Sequence, residues 1–300
     1  MSAFAGGRVR VTVPATSANL GPGFDSLGLA LDLRDVLVGE VTGSELEVEV
    51  RGVCADDVPR DESHLVVRAM RAAFAAMDVS PPGLRLSCDN VIPHGRGLGS
   101  SAAAIVGGAT LARALVADGA NRLDDDALLR LAAEFEGHPD NVAPALHGGF
   151  VISGREGAEF YSVPATVDPR VSVVVFVPPA PVSTELARGL LPDQISHAAA
   201  AADAGRTALL VAALAGQPEH LLLATRDFLH QEFRRTAMPE SLDLVDRLRD
   251  DGVAAIVSGA GPTVLAFTLG EGAEAELKGR CPRLWECRLL EIDRLGVRVG

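Results

Sequence analysis

Pro93–His94–Gly95–Arg96–Gly97–Leu98–Gly99–Ser100–Ser101–Ala102–Ala103 is the stretch on which the reading of this chain turns. Three glycines alternate, two serines follow, and small residues then read as a helix from about Ser101 to Ala117. Glycine reaches positive φ and lets backbone N–H groups approach a ligand with no Cβ in the way. A helix start adds N–H groups that lack intrahelical acceptors, and the positive end of the helix dipole. Ser100 and Ser101 can cap that start or donate to phosphate oxygens. The stretch therefore predicts an anion site, with phosphate as the anion. A ligand-free glycine turn would be the better reading of a lone G-x-G, but not of this whole string entering a helix. The third glycine comes one residue early for the dinucleotide fingerprint G-x-G-x-x-G. A Walker A loop needs a lysine after its glycines, and the only lysine in the chain is Lys278.

Outward from the loop, strands and helices alternate irregularly, which favours an α+β fold over a doubly wound sheet. Arg8 to Pro14 alternates as a strand and runs into a loop over Ala15–Gly23. Leu27 to Val41, Glu45 to Arg51 and Leu84 to Ile92 read as further strands, and Ser63 to Met77 as a helix with Ser63 as its N-cap. Asp124 to Glu136 reads as a helix with three aspartates at its positive end and Gly137 as its stop. Val142 to Ile152 carries Gly148–Gly149 and then a strand. Val171 to Val177 is a continuous apolar strand. Beyond it come helices at 184–190, 197–215, 218–230, 240–251 and 271–278, and strands at 253–257, 263–269 and 286–293. Three hundred residues suit two domains or one large one, and a boundary is expected near residue 160, giving units 1–160 and 161–300.

Apolar residues at 48% and charged residues at 22% describe a folded chain, not a disordered or collagen-like one. A net charge of −13 repels phosphate polymers and anionic lipid, so neither nucleic acid nor a membrane surface is expected as a partner. Aromatics at 4% leave few rings for base stacking. Cys54, Cys88, Cys281 and Cys287 form no zinc pattern and read as reduced thiols. Met1 to Gly7 does not read as a signal peptide, and the Ala-rich stretch 198–216 is interrupted by Asp203 and Arg206, so a cytoplasmic protein is expected. A homodimer is compatible with the sequence.

PHGRGLGSSAA is similar to the ATP-binding signature of the GHMP kinases. Val13 to Asp25 (VPATSANLGPGFD) resembles that family's N-terminal substrate motif, and Ser258 to Thr263 (SGAGPT) its C-terminal glycine motif. The three lie in order across nearly the whole chain. The resemblance implies a two-domain GHMP kinase fold, with an N-terminal domain of the ribosomal protein S5 domain 2-like type and a ferredoxin-like C-terminal domain. SANLGPGFD, His138–Pro139–Asp140–Asn141 and His230–Gln231–Glu232–Phe233–Arg234 resemble the branch that phosphorylates the side-chain hydroxyl of L-homoserine. Other acceptors within the family, such as mevalonate or a sugar, and a non-catalytic binding role are the alternatives.

Residue roles follow from that resemblance. Residues Pro93 to Ala103 (Pro93, His94, Gly95, Arg96, Gly97, Leu98, Gly99, Ser100, Ser101, Ala102 and Ala103) would bind ATP. Arg188 and Arg234 would hold the substrate carboxylate, which a guanidinium can pair bidentately. Asn19 and Asp25 would read the ammonium and hydroxyl, with His138 and Asn141 beside the substrate. Mg²⁺ would bridge the β- and γ-phosphates on Ser100 and Glu134, with Glu136 as competitor; residues i and i+2 do not share a helix face, so one of the two glutamates should face the metal. Asp140 stands where other members keep a base, Asn141 and Arg188 complete the catalytic set, and direct attack by the hydroxyl is the alternative to base catalysis. Ala199 and Asp203 depart from the Asp and Asn that the resemblance suggests.

Overall fold

The computed structural model describes residues 3–43, 45–270 and 272–300. Its strands are β1 (Val9–Ala18), β2 (Leu27–Thr42), β3 (Leu46–Gly52), β4 (Gly83–Asn90), β5 (Phe150–Glu156), β6 (Glu159–Ala165), β7 (Val171–Val177), β8 (Ala255–Val257), β9 (Val264–Leu269), β10 (Glu286–Leu290) and β11 (Arg298–Val299). A seven-stranded sheet runs β11-β1-β2-β4-β3, with β5 on the first part of β2 and β6 beyond β5. The β3–β4 pair is parallel and the other pairs are antiparallel. Val11 and Val13 alternate into the core, and the helices Leu65–Ala76 and Ser100–Leu115 cover it.

The second sheet runs β10-β7-β9-β8. Its central strand explains the unbroken apolar run that the sequence displays. Val171, Val173, Val175 and Val177 face the large core, whereas Val174 and Phe176 face a second core under the helix Pro239–Asp250. Successive strand residues point to opposite faces. Both faces are covered, and each such side chain contributes about 1.5–3 kcal/mol on burial.

Several local expectations need correction. β1 continues to Ala18, because a register shift between Pro14 and Ala15 lets Ala15–Ala18 pair with Gly28–Leu31; the loop starts only at Asn19. Ser63 does not cap its helix: its N–H and hydroxyl both donate to Asp61, and the N-cap position belongs to His64. The helix expected over 218–230 ends at Ala224. Beyond it the Asp227 carboxylate accepts the N–H groups of Leu229, His230 and Gln231, which replaces a helical ladder with a side-chain-capped turn. A short helix, Val142–His147, precedes β5. The division expected at residue 160 falls inside β6, which pairs with β5 in the first sheet, and the chain returns to that sheet at β11. Met1 and Ser2 of the N-terminal reading and Glu271 of the helix at 271–278 lie outside the described residues.

His197–Gly216 is the one helix among the described residues long and apolar enough to cross a membrane. It carries a buried Asp203, whose Oδ1 accepts the Phe228 N–H at 3.0 Å, and burial pushes the Asp203 carboxyl up to about 6. Thr207 Oγ1 donates to Pro22 O at 2.9 Å, while Leu210, Ala213 and Leu214 enter the large core. The helix braces the loop after β1.

Asp35, buried on β2, accepts from the N–H groups of Val91 (2.6 Å) and Ile92 (3.0 Å) and so fixes the approach to the glycine loop. Burial raises its carboxyl from about 3.8 to about 6 against the pull of those two bonds. A raised carboxyl favours the folded state most below its unfolded value, and that contribution is lost as pH rises through about 6. Asp35→Asn keeps an acceptor and removes the ionisation. Its stability relative to wild type should therefore be about 2 kcal/mol higher at pH 8 than at pH 4. Urea unfolding at the two pH values checks this; a gap independent of pH contradicts it.

Candidate active site

The glycine loop is held from two sides by segments distant in sequence. Gly95, Gly97 and Gly99 all have positive φ, at 64°, 75° and 69°. A Cβ on Gly97 would lie 2.2 Å from Ser258 O, and one on Gly99 would lie 1.9 Å from Thr16 Oγ1. Only glycine admits both the backbone conformation and the contact. Ser258 Oγ lies 2.6 Å from Gly97 O and 2.8 Å from Ser17 Oγ. The carbonyl can only accept, so Ser258 gives its proton to Gly97 and takes that of Ser17. Thr16 N–H donates to Leu98 O, and Gly259 N–H to Ala18 O. The N-cap of the Ser100–Leu115 helix is Gly99, which supplies no side-chain acceptor to the first-turn amides. Those amides are left without a capping side chain, as an anion site at this helix start would require.

The loop opens on a cleft of about 160 Å³. Gly95, Gly97, Gly99, Ser100 and Ser101 form one wall. Glu136, His138, Asp140 and Asn141 form another, and Asn19, Arg188 and Arg234 close it. Ser101 Oγ donates to Glu136 Oε2 at 2.6 Å. Burial raises the Glu136 carboxyl, while the Ser101 bond and the nearby His138 pull it down. His138 Nδ1 lies 2.7 Å from Asp140 Oδ1. Burial alone would lower the imidazole, but the hydrogen bond and charge of Asp140 outweigh it, so His138 is raised. Asn141 Oδ1 accepts from Thr16 Oγ1 at 2.8 Å, tying this wall to β1.

The loop after β1 turns sharply. Asn19, Leu20 and Asp25 have φ of 66°, 53° and 55°, a region that Asn and Asp tolerate better than leucine. Asn19 Nδ2 donates to Gly259 O and its Oδ1 accepts from Asp25 N–H. Asp25 and Arg188 pair through both oxygens, at 2.5 and 3.1 Å, and that bond raises the Arg188 guanidinium. Arg234 is 1% exposed. Its Nε donates to Ala187 O and its Nη1 to Gly259 O and His230 Nδ1. Burial, then the charge of Arg188, lowers it to about 10, so it stays a cation at neutral pH.

Two of the metal-site assignments change. Glu134 is exposed on the helix Asp125–Glu136, whereas Glu136 enters the cleft; two residues along a helix turn the side chain to a different face. The serine bonded to that carboxylate is Ser101, not Ser100, although Ser100 also lines the cleft. Within the ATP stretch, Leu98, Ala102 and Ala103 are buried in the core and offer a ligand only their backbone. Arg96 turns away, donating to the carbonyls of His94, Pro178 and Pro179, and Pro93 lines neither cavity. Residues that sequence reasoning did not single out are Thr16, Ser17 and Thr184. Thr16 and Ser17 lay inside a motif read for its polar end, and Thr184 opens a short helix behind a Ser183 cap.

A second cavity of about 280 Å³ adjoins Ser100 and Ser101 and is lined by Val58, Pro59, Leu65, His64 and His94. His64 Nδ1 is buried there with no hydrogen-bond partner among the described residues. Burial lowers both imidazoles. A wider cavity, about 680 Å³, lies between residues 219–232 and the Pro239–Asp250 helix and contains none of the anion donors, so size does not mark the site.

The oxygen donors Ser101 and Glu136 fit Mg²⁺, a hard ion that takes one or two protein oxygens and completes its shell with phosphate and water. Among the described residues no group of three or more His, Cys, Asp or Glu could cage a metal.

Comparison with known proteins bears on the family and the fold. The family models for the GHMP kinases N terminal domain and the GHMP kinases C terminal match residues 64–149 and 207–287. Homoserine kinase from Streptomyces coelicolor is 52% identical over 297 residues, covering 99% of this chain and 96% of the relative. Homoserine kinase from Mycolicibacterium smegmatis is 48% identical over 272 residues, covering 88% and 86%. The crystal structure of homoserine kinase from Cytophaga hutchinsonii superposes with a TM-score of 0.87 at 26% identity, covering 98% of this chain and 97% of that one. The α+β, two-domain fold expected from the sequence is the fold of these proteins.

The two glutamates can be told apart in solution. Glu136→Gln should weaken Mg²⁺·nucleotide binding by roughly tenfold or more, the cost of losing a charge-assisted contact. Glu134→Gln should leave it unchanged. Titration calorimetry with Mg²⁺ and a non-hydrolysable ATP analogue reads both; the reverse ranking would return the metal to Glu134.

Proposed function

The chain belongs to the GHMP kinases, and from that premise we propose that it transfers the γ-phosphoryl group of ATP to the side-chain hydroxyl of L-homoserine. The product is O-phospho-L-homoserine, on the route to threonine. The observation that carries the reading is the Asp25–Arg188 ion pair beside the glycine loop, backed by the buried Arg234. An amino acid carries one anion and one cation at its α-carbon. A cleft wall with a carboxylate and two guanidiniums is complementary to that pattern, whereas a neutral sugar offers it no charge.

In this reading the ATP phosphates lie over the first turn of the Ser100–Leu115 helix, and the nucleoside fills the cavity of about 280 Å³ beside it. His64 Nδ1 is the unpaired polar atom available to the base. Ser101 and Glu136 would hold Mg²⁺, which when bound with the nucleotide draws negative charge off the β- and γ-phosphates. Arg188 and Arg234 take the substrate carboxylate, and Asp25 takes the ammonium that displaces Arg188 from one of its oxygens. Asn19, His138 and Asn141 border the remaining space and direct the hydroxyl toward the glycine loop.

The hydroxyl attacks the γ-phosphorus directly: the new O–P bond forms as the bond to the bridging oxygen breaks, ADP leaves, and the hydroxyl proton passes to an oxygen of the transferred phosphoryl group. Asp140, the residue at the family's base position, is buried with Oδ1 held by His138. Phosphoryl transfer through a loose transition state is served mainly by positioning and charge neutralisation. General-base help contributes about 10²–10⁴-fold, so its absence slows the reaction without forbidding it. ATP and L-homoserine are the partners of this reading, the cytoplasm is its compartment, and gel filtration tests a homodimer.

Two outcomes are expected. Incubated with Mg·ATP and L-homoserine, L-threonine, mevalonate or galactose in parallel, the protein should form a phosphomonoester, seen by ³¹P NMR, from L-homoserine above all others. Turnover confined to another acceptor would refute the assignment. Asp140→Asn should lose less than about 10²-fold in kcat while keeping its fold; a loss of 10⁴-fold would make Asp140 the base.

A further inference from the structure

Two guanidinium groups border one small cleft, and like charges repel. The charge of Arg188 is one cause of the lowered pKa of Arg234. Both lie against one aromatic ring. Arg188 Cζ lies 5.4 Å from the centroid of Phe24, and Arg234 Cζ lies 5.7 Å from the same centroid. A cation over an aromatic ring is attracted by the ring quadrupole, most strongly where water is excluded. The His230 ring stacks on Phe24 with centroids 5.3 Å apart and a 30° tilt.

His230 ties the group together. An arginine can only donate, so Nδ1 of His230 is the bare nitrogen that accepts Arg234 Nη1 at 2.9 Å. The proton therefore sits on Nε2, which donates to Gly21 O at 2.8 Å. Gly21 and Phe24 belong to the same loop, and the next residue, Asp25, binds Arg188. Both arginines are thus referred to one short segment, once through hydrogen bonds and once through the ring.

We infer that Phe24 is a positioning residue: its ring sets the spacing and tilt of Arg188 and Arg234 for the carboxylate of the acceptor, with His230 locking Arg234 to the same loop. This rests on the reading of the two arginines as carboxylate holders. An aliphatic side chain would fill the gap but give neither cation an attractive partner, so selectivity for the α-carboxylate would fall while ATP binding stayed intact.

The test compares L-homoserine with L-homoserine amide, which keeps the hydroxyl and ammonium and lacks the carboxylate charge. Phe24→Leu should raise KM for homoserine by about tenfold. It should leave kcat, KM for Mg·ATP and KM for the amide within about twofold, and Phe24→Tyr, which keeps the ring, should restore the homoserine KM. An unchanged homoserine KM in Phe24→Leu, or an equal rise for both acceptors, overturns the proposal. Should Phe24→Leu fail to fold, as judged by its melting curve, Phe24→Met is read by the same criteria. Failure of the underlying reading looks different: wild-type protein would then use the amide as well as homoserine.

Discussion

Everything in the catalytic cleft depends on one buried hydroxyl. Ser258 joins three segments drawn from the two ends and the middle of the chain: it donates to Gly97 and accepts from Ser17. At Gly97 even a Cβ would lie 2.2 Å from Ser258 O, so a larger residue there would force the backbones apart. With Ser17 and Ser258 both fully buried, no water competes for these bonds. An unmade bond here would leave a buried polar group unsatisfied, a loss of about 1–3 kcal/mol. The phosphate loop is therefore not a free loop that folds around its ligand. Its amides are held open in advance, which is the condition for electrostatic help without reorganisation.

The same economy of parts governs charge. The chain is acidic overall at −13, yet its cleft concentrates two guanidiniums and the positive end of a helix. Against them stand Asp25, Glu136 and Asp140, each already engaged: with Arg188, with Ser101 and with His138. Pairing offsets these charges within the site, and burial strengthens the electrostatics of the buried members. The raised Glu136 carboxyl is a case in point: burial disfavours its charge, so a cation beside it is stabilising.

Much of this was legible in the sequence because it rests on local rules. Alternating glycines before a run of small residues dictate a loop entering a helix, and the seven apolar residues of β7 dictate a strand covered on both faces. Asp124 and Gly137 bracket their helix as capping chemistry requires. What escaped depends on contacts distant in sequence. Glu134 and Glu136 are both plausible in a string of letters, and only the rotation of their helix against the Ser100–Leu115 helix selects Glu136. The turn after Ala224 forms because Asp227 folds back on three amides, a competition that apolar periodicity does not register. β6 and β11 are edge strands whose exposed residues carry little hydrophobic signal.

The shape of the cleft depends on strain in the loop after β1. Asn19, Leu20 and Asp25 hold positive φ, which disfavours a buried leucine in particular. The strain persists because the surroundings fix it: Asn19 is bonded to Gly259 and Asp25, Pro22 to Thr207, and Gly21 to His230. The effect is to aim Asp25 across the cleft at Arg188 rather than out to solvent. In the absence of substrate the two neutralise one another. A zwitterionic amino acid can enter by exchange, its carboxylate taking over from Asp25 and its ammonium from Arg188, so that no charge is left unpaired. A ligand with only one of the two charges would satisfy one partner of this half-exposed pair and leave the other without its counter-charge. In the proposed reading, selection for an α-amino acid is thus a property of the pair, and the strained loop is what holds the pair in place.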